Sequence, residues 1–163
     1  MENLGQDLVL NPELNILDFQ VFPKHVGVWQ GNWLRLDANG QEIARFTATL
    51  TKRIVDNQWV QANTYHYADG TTVTHHFVGI AVARGVIEIT GSDASFANFH
   101  SIAEEHGENL VLFKVQDKTS GALIGLETIN LVRPDYCVRT SQGFHPDGTL
   151  KSLMVITEHR TDC

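Results

Sequence analysis

The sequence predicts an all-β chain closed as an antiparallel up-and-down barrel of nine or ten strands, and three observations carry that prediction. Segments of strand length alternate apolar and polar side chains with a period of two. Tight-turn sequences separate them, among them Asp37-Ala38-Asn39-Gly40, Asp56-Asn57, Asp69-Gly70, Ala83-Arg84-Gly85, Thr119-Ser120-Gly121 and Pro146-Asp147-Gly148. The segments are long and joined by hairpin turns, and closure into a barrel removes the exposed edges such a sheet would otherwise carry.

Residues 1–22 stand apart and are expected to close one barrel end, leaving 23–163 as a single barrel domain. Within them Asn11-Pro12-Glu13 offers an N-cap with proline in the first turn, and Leu14, Leu17 and Val21 share a face, so a short helix is expected. The first strand, 26–37, carries Gly27-Val28-Trp29-Gln30-Gly31-Asn32-Trp33-Leu34-Arg35. Trp29, Trp33 and Arg35 fall on one side of it, with Gly31 between the tryptophans. Residues 42–55 set Phe46, Ala48 and Leu50 against Arg45, Thr47, Thr49, Thr51 and Arg53. Strands follow over 58–67, 71–82 and 86–91. The stretch 92–108 is ambiguous: Phe96, Phe99 and Ile102 recur every third residue, which suits a helical turn, and Glu104–Glu108 reads as a polar loop. The remaining strands are 109–117, 122–133, 136–145 and 149–160.

Composition narrows the function classes. Twelve basic against nineteen acidic residues give a net charge of −7, which offers no electrostatic support for nucleic-acid binding. No run approaches the ~20 apolar residues of a membrane helix. The first residues are acidic where a signal peptide is basic, so a cytoplasmic location is expected. The two cysteines, Cys137 and Cys163, form no disulfide framework.

With the Trp29 side turned inward, several polar residues share the barrel interior. Arg35 then needs a carboxylate partner, from the protein or from a ligand, unless it emerges at the rim. Asn63, Tyr65 and Tyr67 share the face of Trp59 and read as a cavity wall offering hydrogen bonds along an aromatic strip. His75 and His76 are adjacent, so one points inward and one outward; the inward one is a candidate acid or base, or a structural histidine. Glu127 lies in an apolar strand and is costly to bury unpaired. Arg139 on the next strand is its natural partner, with Glu158 on the last strand as a second acid. That row is either a structural ion network or a site of proton transfer. The eight histidines form no zinc-like pair, and no nucleophile motif or phosphate loop is present, so neither a metal nor a cofactor is expected.

Gly27-Val28-Trp29 followed by a meander ending in Glu158-His159-Arg160 resembles the calycin pattern of lipocalins. In that pattern an arginine of the last strand packs across the G-x-W tryptophan at the closed barrel end, which implies that Arg160 covers Trp29. The chain also resembles a family of uncharacterised bacterial, largely cyanobacterial, lipocalin-like proteins. That resemblance rests on Lys24-His25-Val26-Gly27-Val28-Trp29-Gln30-Gly31, Tyr65-His66-Tyr67-Ala68-Asp69-Gly70, His76-Phe77-Val78-Gly79, Leu126-Glu127-Thr128-Ile129, Val138-Arg139-Thr140-Ser141-Gln142 and Phe144-His145-Pro146-Asp147-Gly148. Members carry a tryptophan after the Arg-Thr pair, where this chain has Ser141 and Gly143, so a roomier cavity is implied here. The Gly27–Gly31 run resembles, in addition, the haem-binding barrels called nitrobindins, whose C-terminal histidine ligand would correspond to His159.

Two functions follow. One is a cofactor-free isomerase or cyclase of an apolar or polyunsaturated substrate, such as an isoprenoid, polyketide or fatty-acid-like molecule of natural-product biosynthesis. Glu127 or Glu158 would exchange a proton, assisted by His75 or His76. Arg35 or Arg139 would hold an anionic or carbonyl group, and Trp29, Trp33, Trp59, Asn63 and Tyr65 would shape the cavity. The other is a carrier or chromophore-binding protein for a bilin or haem. Charged groups inside favour the enzyme, because a carrier of apolar ligands has less reason to bear their desolvation. A homodimer is compatible with either.

Overall fold

A computed structural model describes residues 13–162. Ten antiparallel strands form a closed barrel in which each strand pairs with its neighbour in sequence and the last pairs with the first. They are β1 (Gly27–Asp37), β2 (Glu42–Val55), β3 (Gln58–His66), β4 (Thr72–Ala83), β5 (Val86–Gly91), β6 (Phe99–His106), β7 (Leu110–Asp117), β8 (Leu123–Arg133), β9 (Tyr136–Phe144) and β10 (Leu150–Arg160). The shortest ladder joins β5 to β6, with four pairs from Val86–Glu104 to Ile89–Ser101. Beyond it the chain makes a 3₁₀ turn at Ala94–Phe96, and Phe96 packs over Gly91, where an added Cβ would lie 2.5 Å from the ring.

The stretch left ambiguous by its sequence thus divides into a short turn and a strand. Glu104, Glu105 and His106, expected in a loop, end β6. The period of three was misleading because Phe96 belongs to the turn, while Phe99 and Ile102 fall on opposite faces of one strand.

The N-terminal helix is replaced by two 3₁₀ turns, Ile16–Asp18 and Phe22–His25. Asn11 and Pro12 lie outside the described residues. Leu17, expected on the apolar face, is 63% exposed, whereas Ile16 and Val21 are fully buried. Long-range hydrogen bonds dictate this path. Asn57 sits at a hairpin where both central residues, Asp56 and Asn57, have positive φ, a conformation Asp and Asn tolerate. Its side chain accepts from the Ile16 amide at 2.9 Å and donates to the Leu14 carbonyl at 2.7 Å. The Glu105 carboxylate accepts from the amides of Gln20, Val21 and Phe22 at 2.9, 2.5 and 2.7 Å. Ile16, Phe19, Val21 and Phe22 then pack with Trp59, Ala81, Ile87, Ala103 and Val111 in one core cluster at this end of the barrel.

A second cluster surrounds Trp29, with Trp33, Leu50, Leu131, Cys137 and Ile156. Trp29 is fully buried and donates its indole N–H to the His25 carbonyl at 2.9 Å. The Arg160 guanidinium lies 4.5 Å from its ring centroid, as the lipocalin pattern implies. Arg160 also binds the carbonyls of Val26, Lys24 and Pro134, tying the last strand to the entry of the first. Gly31 is the close-approach residue of β1: a Cβ there would stand 3.0 Å from both the Trp33 indole nitrogen and Glu158 Cγ. Among the described residues, no helix is long and apolar enough to cross a membrane.

Candidate ligand-binding site

The barrel encloses a cavity of about 660 Å³, within the range of small-molecule pockets. It deepens toward His25, Lys52 and Trp59 and opens among the hairpins that follow β1, β7 and β9, where Arg35, Asp117, Pro146 and Lys151 line it. Its circumference divides into two arcs. From β4 round to β8 the wall is apolar, with Phe77, Ile89, Phe96, Phe99, Phe113, Val115, Ile124 and Ile129. From β8 through β9, β10 and β1 to β3 most of the polar lining residues are gathered, interspersed with Trp33, Trp59, Phe144 and Met154.

The β3 part of the polar arc is a hydrogen-bonded ladder. Residues two apart on a strand point the same way, so Trp59, Gln61, Asn63 and Tyr65 stand in a row. Trp59 donates to Gln61 at 3.0 Å, Gln61 to Asn63 at 2.8 Å, and Asn63 to the Tyr65 hydroxyl at 3.2 Å. The Tyr65 hydroxyl accepts within the ladder and keeps its own proton to donate. Burial raises the Tyr65 pKa, with the Asn63 bond opposing, so the phenol stays protonated. Its ring packs against Trp33, Phe46 and His75.

Opposite it lies a buried tetrad. Arg139 donates from Nε to Glu127 Oε1 at 2.7 Å, with Nη2 2.5 Å from the same oxygen, and from Nη1 to Glu158 Oε1 at 2.7 Å. Lys52 Nζ meets Glu158 Oε2 at 3.2 Å. Two cations and two anions cancel, as burial of charge requires. Lys52 lies 5.3 Å from the Trp29 ring centroid, and the Arg139 guanidinium 5.1 Å from that of Trp33. Burial alone would raise the Glu158 pKa, but Lys52 and Arg139 outweigh it and hold it down to about 2. The Arg139 pKa is raised: burial acts downward, and Glu127 and Glu158 overcome it. His25 is pulled down to about 3, by burial first and then by Lys52, so its imidazole is neutral. Its Nε2 has no hydrogen-bond partner among the described residues. Burial pushes the Cys137 thiol up to about 11, leaving it inert.

Of the residues singled out in the sequence, Trp33, Arg35, Trp59, Asn63, Tyr65, Glu127 and Arg139 all line the cavity. Trp29 and Glu158 face inward but lie behind the lining, both fully buried. Arg35 is exposed at the mouth. His75 faces inward opposite Asn63, bonded through Nδ1 to Asp93 and packed edge-to-face with Phe96. His76 points outward and is exposed, so the structure removes it from the cavity. His159 also faces outward, against Tyr136; with Arg160 turned inward over Trp29, His159 cannot ligate a haem inside the barrel. His145 is exposed in a turn. Among the described residues no group of His, Cys, Asp and Glu could hold a metal ion.

Three cavity-lining residues escaped the sequence reading: His25, Lys52 and Gln61. The signal for two of them was present. Lys52 continues the parity of Phe46, Ala48 and Leu50, and Gln61 stands between Trp59 and Asn63. Ser141 and Gly143, the small residues expected to widen the cavity, both line it.

The class of protein is therefore a lipocalin-like closed barrel around a small-molecule cavity. The family model described as domain of unknown function DUF3598, N-terminal, matches residues 18–163. The chain belongs to that family. No curated protein matches it significantly. Among solved structures it resembles a DUF3598 protein of unknown function from Nostoc punctiforme, at 14% identity and a TM-score of 0.65. That alignment covers 86% of this chain and 49% of the other, so this chain spans about half of that protein's length. It also resembles the S-type phycobiliprotein lyase CPES from Guillardia theta, at 12% identity and a TM-score of 0.64, covering 93% and 95% of the two chains. A third likeness is to Rv2717c from M. tuberculosis, at 12% identity and a TM-score of 0.65, covering 94% and 99%.

Proposed function

We propose that this barrel binds an elongated, conjugated amphipathic molecule without transforming it, and that an open-chain tetrapyrrole (a bilin) is the ligand that best fits. The observation that carries this reading is the two-sided cavity. An apolar arc of phenylalanines and branched aliphatics faces an arc of fixed hydrogen-bonding groups, which suits a flat ligand with one greasy and one polar edge. On the polar side, Tyr65 has a free donor and Glu127 Oε2 accepts no hydrogen bond from the described residues. A ligand offering both a carbonyl and an N–H group satisfies both. The likeness to a phycobiliprotein lyase along nearly the whole of both chains supports the choice of a bilin.

Isomerase or cyclase chemistry has less to work with. General acid–base catalysis needs a group with a free valence and a pKa near neutrality. Both oxygens of Glu158 are engaged and it is held to about 2. His25, at about 3, is too weak a base. His75, bound through Nδ1 to Asp93, is not among the residues that line the cavity.

The test is a titration with biliverdin followed by visible absorption and circular dichroism. A saturable equimolar complex with an induced dichroic band is expected. A linear, non-saturating response would refute the proposal.

A further inference from the structure

Building on the binding role proposed above, we infer that the ligand carries an acidic group that remains at the barrel mouth, held by Arg35 and Lys151, while its neutral body fills the interior. Charge accounting along the cavity leads there. The interior charges are self-cancelling: Glu127, Arg139, Glu158 and Lys52 form a closed tetrad of zero net charge. A carboxylate pushed to that depth would meet no uncompensated cation and would be desolvated at full cost.

The mouth differs. Arg35 and Lys151 line the cavity there, both exposed, and neither makes an ion pair or side-chain hydrogen bond with the described residues. Asp117 is the other charged lining residue at the mouth, and its Oδ1 already accepts from the amides of Thr119 and Ser120 and from the Ser120 hydroxyl at 2.9, 2.8 and 3.1 Å. The other aspartates of this rim are likewise hydrogen-bonded, which turns one oxygen of each toward its partner without cancelling the charge. Asp37, Asp69 and Asp147 each bind amides of their own hairpins, and Asp93 binds His75. Free cationic valence facing the cavity is thus concentrated at Arg35 and Lys151. A planar guanidinium matches a carboxylate in two parallel bonds, and an ammonium nearby adds a mobile second contact. Lys52, the deep cation, pairs along β1–β2 at the level of Gly27, eight residues below Arg35. That is on the order of 25 Å along the strand, so one acidic group cannot serve both ends.

Two probe pairs test this: biliverdin against its dimethyl ester, and cis-parinaric acid against its methyl ester. Each pair shares one body and differs in the acid. Wild-type protein should bind the acids about tenfold or more tightly than the esters at low salt, the charge-assisted contacts being of that order. The preference should shrink as sodium chloride is raised. The variant Arg35→Ala/Lys151→Ala, altered only at exposed positions, should lose the preference while holding the esters within about twofold of wild type. Esters bound as tightly as acids, or a preference surviving in the double variant, would overturn the inference and leave the binding role standing. No binding of either pair would overturn the binding role, and the inference with it.

Discussion

The two walls of the cavity are stabilised by opposite means. The apolar arc is held by nothing more specific than burial, and its phenylalanines are only half-buried because the cavity stands in front of them. The polar arc is bound internally: its charges cancel in a tetrad and its amides hydrogen-bond along β3. A ligand entering between them gains area from the first wall and orientation from the second. What the contrast teaches is that charge inside a barrel is not by itself evidence of catalysis. Once Lys52 completes the set, the buried acids have a structural account.

If that account holds, Glu158→Gln has the largest effect. It strands Arg139 and Lys52 with a single carboxylate between them and should cost about 3–5 kcal/mol. Guanidinium unfolding measures it, and a loss under about 1 kcal/mol would mean that the tetrad is loosely solvated. Acid stability sharpens the same point. His25 lies below its ordinary 6.5 and Glu158 below its ordinary 4.5 when folded. Both therefore take up protons on unfolding, and the stability they contribute at neutral pH is lost on acidification. The His25 share falls from pH 6.5 toward 3 and the Glu158 share from 4.5 toward 2, at up to about 1.4 kcal/mol per pH unit for each group. His25→Phe should flatten the upper part of that decline; an unchanged profile would remove His25 from it.

The apolar wall should answer differently. Phe113→Ala is expected to cost about 1–2 kcal/mol, less than a fully buried phenylalanine, yet to weaken bilin binding about tenfold. Smallest in stability is Tyr65→Phe, about 1 kcal/mol for the donor left on Asn63, with a several-fold loss of ligand affinity. If Phe113→Ala and Tyr65→Phe left binding untouched, the ligand would not be seated between the two walls.

Period-two alternation and hairpin turns made the barrel readable strand by strand, because both are local signals. The interior face of β1, the pairing of Glu127 with Arg139 and the packing of Arg160 on Trp29 were readable as well. The first two follow from parity and from the cost of burying a lone charge, whereas the third was implied only by the resemblance to lipocalins. Lys52 was passed over although its parity was visible, since a lysine in a strand is ordinarily solvated and only its partner on β10 makes burial tolerable. His25 lies before the first strand, where no alternation indicates which way a side chain turns. The path of residues 13–25 depends on Asn57 and Glu105, far along the chain, and no local periodicity encodes such contacts. His75 and His76 could be separated only once strand register was known.

The most direct test of passive binding is recovery of the ligand. The protein would be incubated with biliverdin to saturation, and the ligand released by denaturation and compared with the starting material by chromatography and mass spectrometry. The account predicts a pigment unchanged in retention and mass after prolonged incubation, with Glu127→Gln giving the same result. A product of equal mass and altered retention, formed by wild type and lost in Glu127→Gln, would contradict it and establish an isomerase.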